Sequence, residues 1–217
     1  MQWLNDFLFY DNVKEQNATR YYIFFALSIL LVKILIPPNG LKSFDDTVTN
    51  KDTYFPKWVA ENSIILGCFL PVIGFIIFYY NVKTLGFDYS PFENDLGYQD
   101  YLGIAICIFG STLRIMSFKI LDRFFTYNVA ILKEHKLVKS GPYKIIRHPS
   151  YTGLIFALFG LQLFIHNNLL GFVILQSTTL FLVLLRISNE EEVLSKHFKQ
   201  EWAHYCKHTW AILPFIY

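Results

Sequence analysis

Charge is scarce in this chain of 217 residues: Asp, Glu, Lys and Arg make up 17% of positions, against 53% hydrophobic residues and a mean hydropathy of +0.34. So few charges cannot cover a soluble domain that also has to hide 22 Phe, and a soluble single-core protein is excluded on that ground. Cysteine is scarce as well. Cys68, Cys107 and Cys206 stand far apart, which excludes a disulfide framework and a cysteine metal cluster and leaves them as small apolar fillers. The first ten residues lack a basic start and a small-residue cleavage site, so the first apolar run is expected to be retained. Internal repeats, low-complexity tracts and linkers are also lacking, and residues 1–217 are expected to form a single membrane domain.

Long apolar runs are what the sequence has instead. Residues 19–36, 58–80, 101–118, 151–166 and 169–185 approach the roughly 20 residues that cross a bilayer core of about 30 Å. The expected fold class is therefore an all-α integral membrane protein with about five transmembrane helices. Residues 19–118 supply three N-terminal spans, and residues 119–217 the chemistry-rich remainder. Lys and Arg crowd the stretch from Lys119 to Pro149, while acids dominate the stretch from Asn81 to Asp100. By the positive-inside rule the first faces the cytosol and the second the opposite side, which also puts the C-terminal tail in the cytosol. Lys33 and Arg114 lie near cytosolic span ends and are expected to snorkel toward water. The last two spans are separated by a few polar residues around His166, so they should form a hairpin whose cytosolic ends lie side by side.

Those two ends carry unusual residues. Before the fourth span, Gly141-Pro142 marks a turn, and Pro149 forces His148 out of helical geometry while serving as a helix-start residue. The free N–H groups and positive dipole end of that helix suit an anion. Tyr143, His148 and Tyr151 sit at the same depth. After the last span, residues 186–205 have helical period, with Leu194, Phe198 and Trp202 on one side and an exposed Glu192/Lys196 pair on the other, the expected C-terminal cytosolic amphipathic helix. Stepping back by fours from Leu194 gives Glu190 and Arg186, so two charges extend the stripe that faces the protein and need partners there.

The pattern H-x-L-V-x-x-G-P-Y-x-x-x-R-H-P-x-Y-x-G from His135 to Gly153, followed by R-x-x-x-E-E-x-x-x-x-x-x-F from Arg186 to Phe198 and then Tyr205, resembles the isoprenylcysteine carboxyl methyltransferase family. That resemblance implies methyl transfer from S-adenosyl-L-methionine to the C-terminal carboxylate of a prenylated cysteine, at the cytosolic face of the endoplasmic reticulum membrane. It implies cofactor contacts at His135, Lys136, Leu137, Val138, Tyr143, His148, Pro149, Ser150, Tyr151 and Glu190, and a substrate carboxylate held by Arg186, with Arg186 and Glu190 as the catalytic pair. The implied partners are prenylated protein C-termini and the lipid bilayer, with neither metal nor nucleic acid. Trp202 stands where the family usually carries a tyrosine. Two other enzyme classes share parts of the pattern. Phospholipid N-methyltransferases are similar in the last spans and acidic helix. Sterol reductases that use NADPH carry a similar Arg-His-Pro-x-Tyr-x-Gly element and a Trp-x-x-Tyr-Cys ending.

Overall fold

The computed structural model describes residues 22–24, 26–31, 47–48, 96–125, 131–132, 135–165 and 169–214. The expected span at 58–80, Lys33, Cys68 and the hairpin tip at 166–168 lie outside these residues, and the expected span at 19–36 is described only in part. The described residues are mostly helical. Helix α1 is Tyr22–Leu31, α2 is Tyr98–Leu121, α3 is Pro149–Phe164, α4 is Leu169–Phe198 and α5 is Gln200–Lys207. The all-α expectation needs one small correction: Thr47–Val48 (β1) pairs antiparallel with Ile131–Leu132 (β2). Among the described residues two helices, Tyr98–Leu121 and Phe172–Phe198, are long and apolar enough to cross a membrane.

Each helix boundary has a local cause. Gly97 opens α2 by donating its N–H to the Asp100 carboxylate at 2.6 Å. Pro149 opens α3 as expected, with His148 in non-helical backbone before it. Helix α4 shows no break at Arg186; it runs on to Phe198. Lys199 then takes a φ of 45°, the left-handed region, and the chain re-enters a helix as α5. The amphipathic helix expected over residues 186–205 is thus the end of α4 plus a separate α5, and the bend lets Trp202 and Tyr205 turn inward together.

The largest contact in the described structure is between α2 and α3, which run antiparallel. Their shared face is built from small residues, Gly103, Cys107 and Gly110 against Gly160, Ala157 and Gly153. A Cβ on Gly153 would sit 2.5 Å from the Gly110 carbonyl oxygen, and one on Gly160 would sit 2.5 Å from that of Gly103. Missing side chains here let the backbones touch, the usual route to helix association where apolar surface alone provides no driving force. The outer faces of α2 and α4 carry exposed Leu102, Ile108, Phe109, Ile174, Phe181 and Leu184, as suits helices against lipid.

Arg114, one turn beyond Gly110, does not snorkel. It is 1% exposed, and its Nη1 donates to the carbonyl and hydroxyl oxygens of Ser150, both at 2.9 Å. The close α2/α3 approach brings the first turn of α3 within reach, and a buried guanidinium gains more from those acceptors than from a longer path to water.

Substituting Gly153 or Gly160 by Leu should therefore cost at least about 1–3 kcal/mol, the range for overpacking. The measurement is the fraction of detergent-solubilised protein still monodisperse after graded heating. Leu102→Phe, at an exposed position of α2, should leave the curve in place. Wild-type curves for both glycine variants would contradict this interface.

Candidate functional site

The chain between β2 and α3 is held in place by the C-terminal tail. Arg147 N–H donates to the Trp210 carbonyl at 2.7 Å, His148 N–H to that of Ala211 at 3.0 Å, and Trp210 N–H to that of Ile145 at 3.1 Å. Thr152 Oγ1 adds a bond to the Ile212 carbonyl at 2.8 Å. Upstream, the turn Gly141–Lys144 begins at Gly141 with a φ of +58°, where a Cβ would collide with Ile120 of α2 at 2.5 Å. Tyr143 is thereby buried, and its carbonyl accepts the Tyr205 hydroxyl at 2.6 Å, which draws α5 over the turn. A Lys139 to Glu201 contact at 2.7 Å joins the same two segments at the surface.

The start of α3 and the later turns of α4 meet side by side, as the hairpin expectation required. Tyr151 of α3 donates its hydroxyl proton to Glu190 Oε1 of α4 at 2.6 Å. Arg186 Nε reaches the Tyr151 hydroxyl at 3.2 Å and Glu190 Oε1 at 3.4 Å. His148 places Nδ1 3.5 Å from Glu190 Oε2 and Nε2 3.1 Å from Glu191 Oε1. Arg147 Nε donates to that same Glu191 oxygen at 2.8 Å, and its Nη1 bonds the Thr209 carbonyl. Two carboxylates at the end of a membrane helix are thus compensated by two guanidiniums, an imidazole and a phenol. Burial works against charge on His148, and its hydrogen bonds to Glu190 and Glu191 outweigh that, holding the imidazolium above its ordinary value.

An open cavity of about 850 Å³, counted out to its mouth, adjoins this cluster. Its wall contains His135, Lys136, Leu137, Val138, Tyr143, His148, Ser150, Tyr151 and Glu190, so most of the residues expected to hold a cofactor converge on one space. Pro149 and Arg186 do not line it. Pro149 is fully buried as the helix start, and Arg186, 2% exposed, stands behind Tyr151 and Glu190. Residues not singled out for the site complete the wall: Leu121, Phe124 and Phe125 at the end of α2, Arg147, and Val193 and Leu194 of α4. Trp202 and Tyr205 of α5 close it from another side. Arg147 stood inside the Arg-His-Pro element and could have been found there. Phe124 and Phe125 carried no signal beyond hydrophobicity, because only the fold of the loop brings them across from residues 135–138.

The cavity is chemically two-sided. One wall is apolar and aromatic, with Phe124 and His135 rings 5.2 Å apart and His135 in turn against Phe198. Burial, and then His197 nearby, keep His135 below its ordinary value and so neutral, and its Nδ1 is buried without a hydrogen-bond partner. The other wall offers the Glu190 carboxylate and the Tyr143 and Tyr151 phenols. Burial pushes the Tyr143 and Tyr205 phenols upward, so both stay protonated. Such a space suits a ligand with a flat heterocycle at one end and a cationic, amine-bearing group at the other. Among the described residues no group of three or more His, Cys, Asp or Glu side chains could hold a metal ion.

Known proteins resemble this chain in sequence and in fold. The isoprenylcysteine carboxyl methyltransferase (ICMT) family model matches residues 103–196. A probable protein-S-isoprenylcysteine O-methyltransferase of Oryza sativa subsp. japonica is 32% identical over 134 residues, 58% of this chain and 66% of that one. The protein-S-isoprenylcysteine O-methyltransferase of Saccharomyces cerevisiae is 32% identical over 123 residues, 53% of this chain and 48% of that one. The aligned region thus spans about half to two thirds of the length of these curated relatives. The solved structure of a eukaryotic intramembrane Ras methyltransferase, ICMT, superimposes with a TM-score of 0.56 at 23% identity, covering 92% of this chain and 63% of that chain, a shared fold. The matched segment runs from the glycine face of α2 through the cavity-lining loop to the carboxylates of α4, and through it the chain belongs to the isoprenylcysteine carboxyl methyltransferase family.

Proposed function

We propose that this protein transfers the methyl group of S-adenosyl-L-methionine to the C-terminal carboxylate of a prenylated cysteine. The observation that carries the reading is the convergence of His135, Lys136, Leu137 and Val138 with Tyr143, Tyr151 and Glu190 on one cavity, inside the family-matched segment. Residues 119–217 form the catalytic part in this reading. Five spans, at 19–36, 58–80, 101–118, 151–166 and 169–185, hold it in the endoplasmic reticulum membrane with the cavity and the C-terminus cytosolic. The basic stretch from Lys119 to Pro149 and the apolar outer faces of α2 and α4 support that placement.

Bound S-adenosyl-L-methionine supplies a methyl group on a sulfonium, a ready leaving group. A carboxylate acceptor is already nucleophilic at neutral pH, so the chain has no proton to remove and its task is approach and alignment. Glu190 would accept from amino or hydroxyl groups of the cofactor, and Tyr151, bonded to it at 2.6 Å, keeps the carboxylate from turning away. The loop from His135 to Val138, half-buried except for the exposed Lys136, would provide backbone and apolar contact along the opposite wall. Arg186 receives the acceptor carboxylate. Its side chain is 2% exposed behind Tyr151 and Glu190, so the carboxylate reaches it only where those two side chains give way, and the two-bond fork then sets the direction of the carboxylate. The prenyl chain lies along the apolar surface between spans, and the exclusion of water there strengthens each polar contact.

Membranes carrying this protein should methylate N-acetyl-S-farnesylcysteine and leave N-acetylcysteine untouched, because the lipid supplies both burial and orientation. Equal rates on the two compounds, or methylation of phosphatidylethanolamine in their place, would overturn the acceptor assignment. Arg186→Lys keeps the charge and loses the fork. Its turnover on farnesylcysteine should fall on the order of 10²-fold, the scale of a small misalignment, with S-adenosylhomocysteine affinity nearly intact. Normal turnover in that variant would remove Arg186 from the acceptor site and leave the rest of the reading standing.

A further inference from the structure

Glu191 does not line the cavity, yet both basic residues of the Arg147-His148 pair end on one of its oxygens. Oε1 accepts from Arg147 Nε at 2.8 Å and lies 3.1 Å from His148 Nε2. The second ring nitrogen, Nδ1, lies 3.5 Å from Glu190 Oε2. A neutral imidazole carries one N–H and can donate toward only one of two carboxylates, so a ring set between both is satisfied as the imidazolium. Glu190 and Glu191 are consecutive on α4, about 100° apart around its axis, and the ring wedged between them cannot turn without giving up one contact.

We propose that Glu191 is a positioning residue of the methyl-transfer site: by gathering Arg147 and His148 on one oxygen it fixes the imidazole with its other nitrogen on Glu190, and so sets the charge that this wall presents to a cationic methyl donor. The proposal rests on the methyl-donor reading above. With His148 protonated, the cluster holds three positive charges (Arg147, His148, Arg186) against two negative ones (Glu190, Glu191). With His148 neutral the two signs balance. Tyr151 of α3 stands against the ring, with centroids 5.9 Å apart; Lys136, Tyr143 and Tyr205 share the cavity wall with it, and Cys206 of α5 meets Arg147 through its carbonyl. Burial pushes the Tyr143, Tyr205 and Cys206 groups upward, away from neutrality. His148 is therefore the group in this set that changes charge nearest the working pH.

Raising the pH through the His148 titration removes a positive charge beside the donor site, so S-adenosylmethionine, which carries a net positive charge, binds more tightly and the protonated ring gives up its proton. S-adenosylhomocysteine lacks the sulfonium and responds less. Glu191→Gln keeps an oxygen for Arg147 and removes the counter-charge of the imidazolium, so the inflection should move down by about 1–3 pH units. Direct cavity contacts are unchanged by that substitution.

Calorimetric titration of S-adenosylmethionine and S-adenosylhomocysteine into detergent-solubilised wild type and Glu191→Gln, from about pH 5.5 to 8.5, reads this out. The expected result is a steeper pH dependence for the sulfonium compound and an inflection displaced downward in the variant. Identical inflections in the two proteins would overturn the role of Glu191. Failure of either compound to bind the wild type at any pH would overturn the methyl-donor reading itself. Should Glu191→Gln not fold, nitrogen-15 shifts of the His148 ring in the wild type decide: two protonated nitrogens near neutral pH support the proposal, and a single neutral tautomer overturns it.

Discussion

Two adjacent carboxylates, Glu190 and Glu191, sit near the end of α4, a helix with an apolar outer face, and an uncompensated buried ion there would cost several kcal/mol. Each neighbouring segment supplies part of the compensation. Arg186 comes from the turn below on the same helix, Tyr151 from the first turns of α3, and Arg147 and His148 from the loop before it. Those partners fix the loop, and the loop recruits the C-terminal tail through Ile145, Arg147 and His148. The cavity is the space left between the fixed loop, the end of α2 and the bent α5. Its shape is thus a consequence of where the two negative charges had to be matched.

A second constraint works from inside the membrane. Gly103, Gly110, Gly153 and Gly160 let α2 and α3 pack backbone to backbone, which sets the height at which Arg114 meets Ser150. The first turn of α3 is then anchored from beneath by Arg114 and from the side by Ile212, so Tyr151 and His148 are carried on a rigid platform. The elements opposite them are lighter: α5 has eight residues and is joined to α4 through a single left-handed residue, Lys199. Precise geometry therefore rests on the α2/α3 side of the cavity, and any adaptation of the cavity falls to α5, with Trp202 on its inner face.

Much of the site was legible in the sequence because its residues break local rules. Charges on an otherwise apolar stripe at Arg186 and Glu190, and a proline forcing His148 out of a helix, are visible without a structure and proved to meet within hydrogen-bond range. The loop from His135 to Val138 was found by its resemblance to a family, since nothing in its own chemistry marks it. Arg114 was misread because a lone basic residue near a span end looks the same whether it reaches for water or for a buried hydroxyl, and the glycines that decide the matter lie on another helix. The break at Lys199 was missed for a related reason: lysine is a good helix former, and the left-handed residue is imposed by the burial of Trp202 and Tyr205. Phe124 and Phe125 could not be placed at all, because aromatic residues at the end of a span have the same pattern whether they face lipid or a cofactor.

Whether the cavity beside Glu190 holds a cationic methyl donor is tested most directly by equilibrium binding of radiolabelled S-adenosylmethionine to the purified protein, with S-adenosylhomocysteine and NADPH as competitors. Saturable binding at one site per chain is expected, displaced by S-adenosylhomocysteine and indifferent to NADPH. Saturable NADPH binding with no retention of S-adenosylmethionine would contradict it and turn the same residues toward a reductase.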